Sequence, residues 1–182
     1  CSAVSNEGIR FLKGNLNFSG QPEEEIDPPK FSYISMDYDN QEYTFILSAI
    51  DSLGVETWIG PDFERIMTYK GLVIYSNGLG NDLHIPSNDK LKIINSFPHK
   101  DVDFQMTLSS PLLINASTAL IKDRIVSKKA CDYLVIYKRG IDAIKKNFKD
   151  EYCYDSEGNI IYSKQTLDPL SKKLILTFHY LY

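Results

Sequence analysis

Histidine and cysteine are scarce in this chain, three of each, and tryptophan occurs once. Nucleophilic catalysis needs a base within hydrogen-bond reach of the nucleophile. The three histidines offer little: His84 and His99 lie in loop-like, Pro-flanked sequence, and His179 lies in a strand-like one. No Gly-x-Ser-x-Gly elbow is present. Neither Cys-x-x-Cys nor His-x-x-x-His occurs, so the spacings that hold a metal are missing. His99 beside Asp101 and Asp103 reads as an acidic loop. Gly78-Leu79-Gly80-Asn81 lacks the third glycine and the following helix of a phosphate loop. No apolar run approaches the roughly 20 residues of a membrane helix. The net charge of -4 provides no field for nucleic acid. No cofactor is implied, and the expectation is a protein that catalyses nothing.

What is present favours strands. Aromatic residues make up 12% of the 182, with 12 Tyr and 9 Phe. Residues 14–30 hold three prolines, two glycines and the run Glu23-Glu24-Glu25. They read as part of an extended tether over residues 1–30, followed by one domain over 31–182. Strand signals then follow in close succession. Phe31–Tyr38, Glu42–Ile50, Val55–Ile59, Arg65–Tyr69 and Leu72–Tyr75 are separated by the turns Asp39-Asn40, Asp51–Gly54, Pro61-Asp62 and Lys70-Gly71. Gly78–Asp89 reads as a loop and Asp101–Leu108 as a strand. Leu112–Ser127 fits helix or strand. Cys131–Tyr137 reads as a strand. Ile141, Ile144 and Phe148 suit one face of a short helix. Tyr152–Asp155 and Ile160–Thr166 flank a Ser156–Asn159 turn, and Leu174–Tyr182 is the last strand. The spacing predicts an all-β domain, a large curved antiparallel sheet or open barrel with one short helix.

Cys1 is expected to be a lipid-modified residue, because lipoprotein maturation leaves an acylated cysteine at the first position. Two or three acyl chains anchor stably where one is marginal. Ser2, in place of Asp, permits passage to the outer membrane. Cys131 and Cys153 would pair in an oxidising compartment, closing a loop that contributes on the order of 3 kcal/mol; two buried free thiols are the other reading. Tyr152 and Tyr154 alternate on one strand face, with Tyr162 across the hairpin. Such a row suits stacking on the sugars of a polysaccharide, and equally a sheet core. The close carboxylate pairs Asp37/Asp39, Asp62/Glu64 and Asp155/Glu157 fall at turns, where Asp is favoured for local hydrogen bonds.

Two segments carry a resemblance. Lys30–Leu83 has Ser32, Ser35, Leu47, Gly54, Trp58, Gly71, Gly78, Leu79, Gly80 and Leu83 in matching order. Tyr152–Pro169 has Tyr152, Asp155, Gly158, Ser163, Gln165 and Pro169. Together they resemble the YjbF/GfcB capsule polysaccharide lipoproteins. Leu72 stands where that pattern has a basic residue, and Cys153 where it has Trp. The resemblance implies a lipid-anchored protein on the periplasmic face of the outer membrane, partnered by other polysaccharide-secretion proteins, that assists capsule or exopolysaccharide export. It implies no catalytic residue. An alternative is a module that binds lipid or glycan on the concave face of the sheet, which requires an open cavity of a few hundred Å³.

Overall fold

The alternation of apolar and polar residues is carried through most of the strands. In β7 (Val102–Ser109), Val102, Phe104, Met106 and Leu108 are buried while Asp103 and Gln105 are exposed. The computed structural model describes residues 30–38, 40–80, 82–109, 113–128, 131–167 and 173–181. The expected tether, Lys30 excepted, lies outside them with Cys1. Twelve strands occur among the described residues. β1 (Tyr33–Tyr38), β2 (Gln41–Ile50), β3 (Val55–Ile59), β4 (Arg65–Tyr69), β5 (Leu72–Asn77) and β6 (Asp82–His84) precede β7. β8 (Ile114–Lys128), β9 (Cys131–Ile141), β10 (Lys146–Tyr154), β11 (Ile160–Thr166) and β12 (Lys173–His179) follow it. Each strand pairs antiparallel with its sequence neighbours. β1 also pairs with β12, from Tyr33 opposite His179 to Tyr38 opposite Leu174, which closes the sheet into a barrel.

Turn chemistry sets the short hairpins. Tyr69 pairs with Leu72, and the two residues between them, Lys70 and Gly71, have φ of 47° and 85°. Positive φ at both central positions matches the right-handed twist of the flanking strands. Asp51 and Asp155 hold their turns with side-chain oxygens that accept backbone N–H groups two and four residues on.

Two sequence expectations change and one open reading is resolved. Gly78–Asp89 is not all loop: it contains β6 and the start of α1 (Ser87–Ser96). This helix buries Ile93 and sends Phe97, just beyond its end, into the core. Asp89 ties its first turn to β7 by accepting the Gln105 N–H at 3.2 Å. Ile141–Phe148 is not a helix. A 3-10 turn (Asp142–Ile144) ends at Lys145, whose φ is 51°, and β10 begins at Lys146. Leu112–Ser127, ambiguous in sequence, lies largely within the 15-residue strand β8.

A twelve-stranded barrel of circular section would leave an open lumen; here the interior is filled. β11 and β5 are third and ninth in the ring, on opposite walls. Yet the Gln165 side chain of β11 donates to the Gly71 carbonyl at 2.8 Å and accepts the Val73 N–H at 3.1 Å. Tyr154 in β10 likewise donates to the Lys70 carbonyl at 3.0 Å. The walls meet at these contacts. Elsewhere Trp58, Phe45, Phe104, Tyr137 and Tyr152 fill the space, and the Phe97 ring stands 5.3 Å from Tyr137 and 4.9 Å from Tyr152.

Candidate functional site

The filled interior overturns the concave-face alternative, since the lumen is occupied by side chains where a ligand cavity was required. It also corrects the tyrosine row. Tyr152 and Tyr154 are 0% and 1% exposed, pointing inward with Tyr137 and Tyr133 as ring neighbours. Tyr162 pairs with Cys153 on the other face of the sheet. The three rings therefore form no common surface for stacking. The inward pair was placed by the same alternation that suggested the row; the sequence alone does not say which face of a closed sheet is covered.

Cys131 in β9 and Cys153 in β10 are joined as a disulfide, with Cα atoms 5.6 Å apart. It belongs to a small outer cluster with Leu134, Ile136, Ile161 and Tyr162. The histidines are held by rings and backbone. His179 stacks on Tyr33 at 4.3 Å, and burial lowers its pKa. His84 lies in β6, edge-on to Tyr75, and the His99 carbonyl accepts from Lys122. Asp101 accepts the Lys122 N–H at 2.8 Å. No group of three or more His, Cys, Asp or Glu able to hold a metal occurs among the described residues. Of the paired carboxylates, Asp155 accepts from Glu157 and Asn159, and Glu64 from the Asp62 N–H, which is turn chemistry. Asp39 lies outside the described residues.

Two charged clusters are buried in opposite walls. Between β9 and β10, Arg139 Nε donates to Asp150 Oδ2 at 2.5 Å, with the side chains 1% and 0% exposed. Asp150 also accepts the Thr166 N–H at 3.1 Å and the Tyr152 hydroxyl at 3.4 Å. Burial pushes its carboxyl upward against the pull of Arg139. Arg139 Nη2 has no hydrogen-bond partner among the described residues. Between β3 and β4, Glu56 accepts from the Thr68 hydroxyl at 2.8 Å and the Tyr180 hydroxyl at 2.6 Å; Thr68 in turn accepts from Trp58 at 2.9 Å. Both clusters are enclosed, so they act on stability and not on a ligand.

Outward positions are mixed: Asp37, Glu42, Lys138, Lys149 and Lys164 lie there, and so do Ile121, Ile125 and Ile175. One outer region is concave. Asp103, Ala119, Gly140 and Asn147 stand side by side across β7, β8, β9 and β10. The two small residues in the middle make a trough of about 700 Å³ across the strands. Ile121 and Lys138 line one side of it, and Asp142 of the 3-10 turn with Lys145 and Lys146 just after it line another part. A side chain at Gly140 would bring a Cβ within 3.2 Å of Asn147 Oδ1. Sequence reasoning missed this feature. Its signal is the pairing of two small outward residues, which depends on a register that only the folded sheet supplies.

The whole chain can be superimposed on the crystal structure of the hypothetical lipoprotein YmcC from Escherichia coli (K12), with a TM-score of 0.68. The likeness covers 100% of this chain and 99% of that one, at 14% sequence identity. The chain shares its fold with YmcC. No protein-family model and no curated protein sequence matches it. The fold also brings together the two segments singled out in the sequence, because Gln165 of the second is bonded to Gly71 of the first.

Proposed function

We propose that this barrel is a lipid-anchored accessory protein of the outer membrane that assists capsule or exopolysaccharide secretion and carries out no reaction of its own. The observation that carries the reading is the full-length likeness to the hypothetical lipoprotein YmcC. The resemblance of residues 30–83 and 152–169 to capsule polysaccharide lipoproteins supports the same assignment. A filled lumen argues that polymer does not thread the barrel, so the protein acts through its outer surface and its position. In this reading Cys1 is the acyl acceptor, and the tether sets how far the barrel reaches from the membrane. A disulfide between Cys131 and Cys153 suits the oxidising periplasm.

The test is a deletion strain complemented with the wild-type protein or with Cys1→Ser. Exported polysaccharide is expected to fall on deletion, to recover with the wild type, and to stay low with the unlipidated form. Normal export in the deletion strain would overturn the secretion role. Mass spectrometry of the native N-terminal peptide is expected to find an acylated Cys1; an unmodified cysteine would overturn the anchor.

A further inference from the structure

We propose that the trough on the outer face of β7 to β10 binds a short stretch of acidic polysaccharide, with a sugar carboxylate at its lysine end. The proposal rests on the secretion reading and adds a binding site and a ligand class to it.

The argument begins with shape. The row Asp103–Ala119–Gly140–Asn147 crosses three inter-strand steps, about 14 Å at about 4.8 Å each. Ala119 and Gly140 give the row a low floor on an otherwise side-chain-covered sheet. A long, open trough of this kind suits a linear chain that enters and leaves at both ends. It suits a flat bilayer surface poorly.

The second argument is charge. Three lysines and two aspartates line the trough, whereas the chain as a whole is acidic, with a net charge of -4. The positive charge in excess lies at one end: Lys145 and Lys146 follow the 3-10 turn at the Asn147 end, where Asp142 offsets one of them, and Asp103 stands at the other end of the row. Lys138 is engaged by Asp123 at 3.2 Å, which leaves the two lysines of the turn as the principal cations for an anionic ligand. Lysine offers a point charge to a carboxylate, while Asp103, Ser117 and Asn147 suit sugar hydroxyls. Gln105 is linked to Ser117 at 2.8 Å and extends that polar edge. Thr118, which also lines the trough, has a buried hydroxyl oxygen with no partner among the described residues.

Among the described residues, no aromatic ring lines the trough. Recognition therefore depends on charge and hydrogen bonds and not on stacking, and binding should be salt-sensitive. The ligand that fits is a polymer in which a uronic acid sits beside neutral sugars.

Binding is measured on the full chain by calorimetry, with short hyaluronan fragments as the probe, in which a uronic acid alternates with a neutral amino sugar. Chito-oligosaccharides of equal length are the uncharged control, and vesicles containing phosphatidylglycerol are the membrane arm. The hyaluronan fragments are expected to bind, and binding is expected to vanish by about 1 M NaCl, where the screening length is about 3 Å. Lys145→Glu/Lys146→Glu should weaken binding by about tenfold or more without changing Tm, because both side chains are exposed. Ala119→Phe should block the trough independently, and in nuclear magnetic resonance spectra the Gly140 and Asn147 amides should shift on titration. Equal binding of the uncharged control, no effect of the lysine variant, or binding to vesicles alone would each overturn the proposal. If lysine-variant strains export normally while deletion strains do not, the trough is dispensable in the cell and the secretion role stands without it.

Discussion

The two buried charged clusters solve the same problem in different ways. Glu56 is a lone carboxyl in the β3–β4 wall, held by the hydroxyls of Thr68 and Tyr180. Burial raises its pKa, and those hydrogen bonds oppose the rise. It can escape the cost of enclosure by taking up a proton. Arg139 in the opposite wall has no such route, since a guanidinium stays charged. It depends on Asp150, and Asp150 depends on it. A carboxyl that can be neutralised tolerates the loss of a neighbour; a paired permanent charge does not.

The largest expected effect follows from that contrast. Asp150→Ala leaves Arg139 buried without its counter-charge and should cost about 3–5 kcal/mol by chemical denaturation. Replacing both partners together, Arg139→Met with Asp150→Leu, should restore most of that loss, since apolar groups of similar volume pack as well as a buried pair. A double variant no better than the single would show that the ion pair itself, and not the stranded charge, sets the cost.

Next in size is the disulfide between the same two strands, β9 and β10. Cys131 and Cys153 are 22 residues apart, so Cys131→Ser/Cys153→Ser should lose about 3 kcal/mol, seen as a lower Tm than that of the oxidised wild type. β3 and β4 contain no cysteine, and reduction should leave the Trp58 fluorescence of that wall native-like at temperatures where the β9–β10 region has loosened. Simultaneous loss of both signals would mean that the two walls unfold as one unit.

The seam between the walls is tested by glycine. Gly71 has φ of 85°, and a Cβ there would meet Ile160 Cγ1 at 2.7 Å; Gly80 has φ of 83° with nothing within 4 Å. Backbone strain applies to both, at about 1 kcal/mol, and the clash only to the first. Gly71→Ala should therefore lose about 2 kcal/mol or more and Gly80→Ala about half as much, measured by urea midpoints. Equal losses would indicate that the walls can part around Ile160 without penalty.

The Glu56 wall was also the more legible one. Its strands have 5 or 6 residues, joined by turns whose residue types announce themselves, as at Lys70-Gly71 and Asp51–Gly54. The other side uses strands of 15, 11 and 9 residues, with register shifts beside Lys122 and Val126. Charged residues along β8 blur its alternation, which is why it fitted helix or strand. α1 was missed because its decapeptide is mostly polar and buries a single apolar residue, Ile93. Closure of the barrel joins Tyr33 to His179, a pairing that no local pattern encodes. Arg139 did leave a trace. It falls in step with Tyr133, Val135, Tyr137 and Ile141, and Asp150 with Phe148, Tyr152 and Tyr154, a period-2 signal that the sequence reading did not use. The tyrosine row was a misreading of that same inward face.

The smallest expected effect is the pH dependence of Glu56. Its folded pKa is raised by burial above the ordinary value of 4.5. The folded protein therefore holds the proton more tightly than the unfolded chain. That contribution is complete below pH 4.5 and is lost as pH rises through the raised folded value. Glu56→Gln keeps an oxygen to accept from Thr68 and Tyr180 but has no proton to lose. In urea titrations the wild type should lose stability relative to the variant across that window, and the two curves should diverge only above pH 4.5. Parallel curves would mean that the Tyr180 and Thr68 hydroxyls satisfy the carboxylate as well as water does, and the contrast with Arg139 would then rest on geometry rather than on titration.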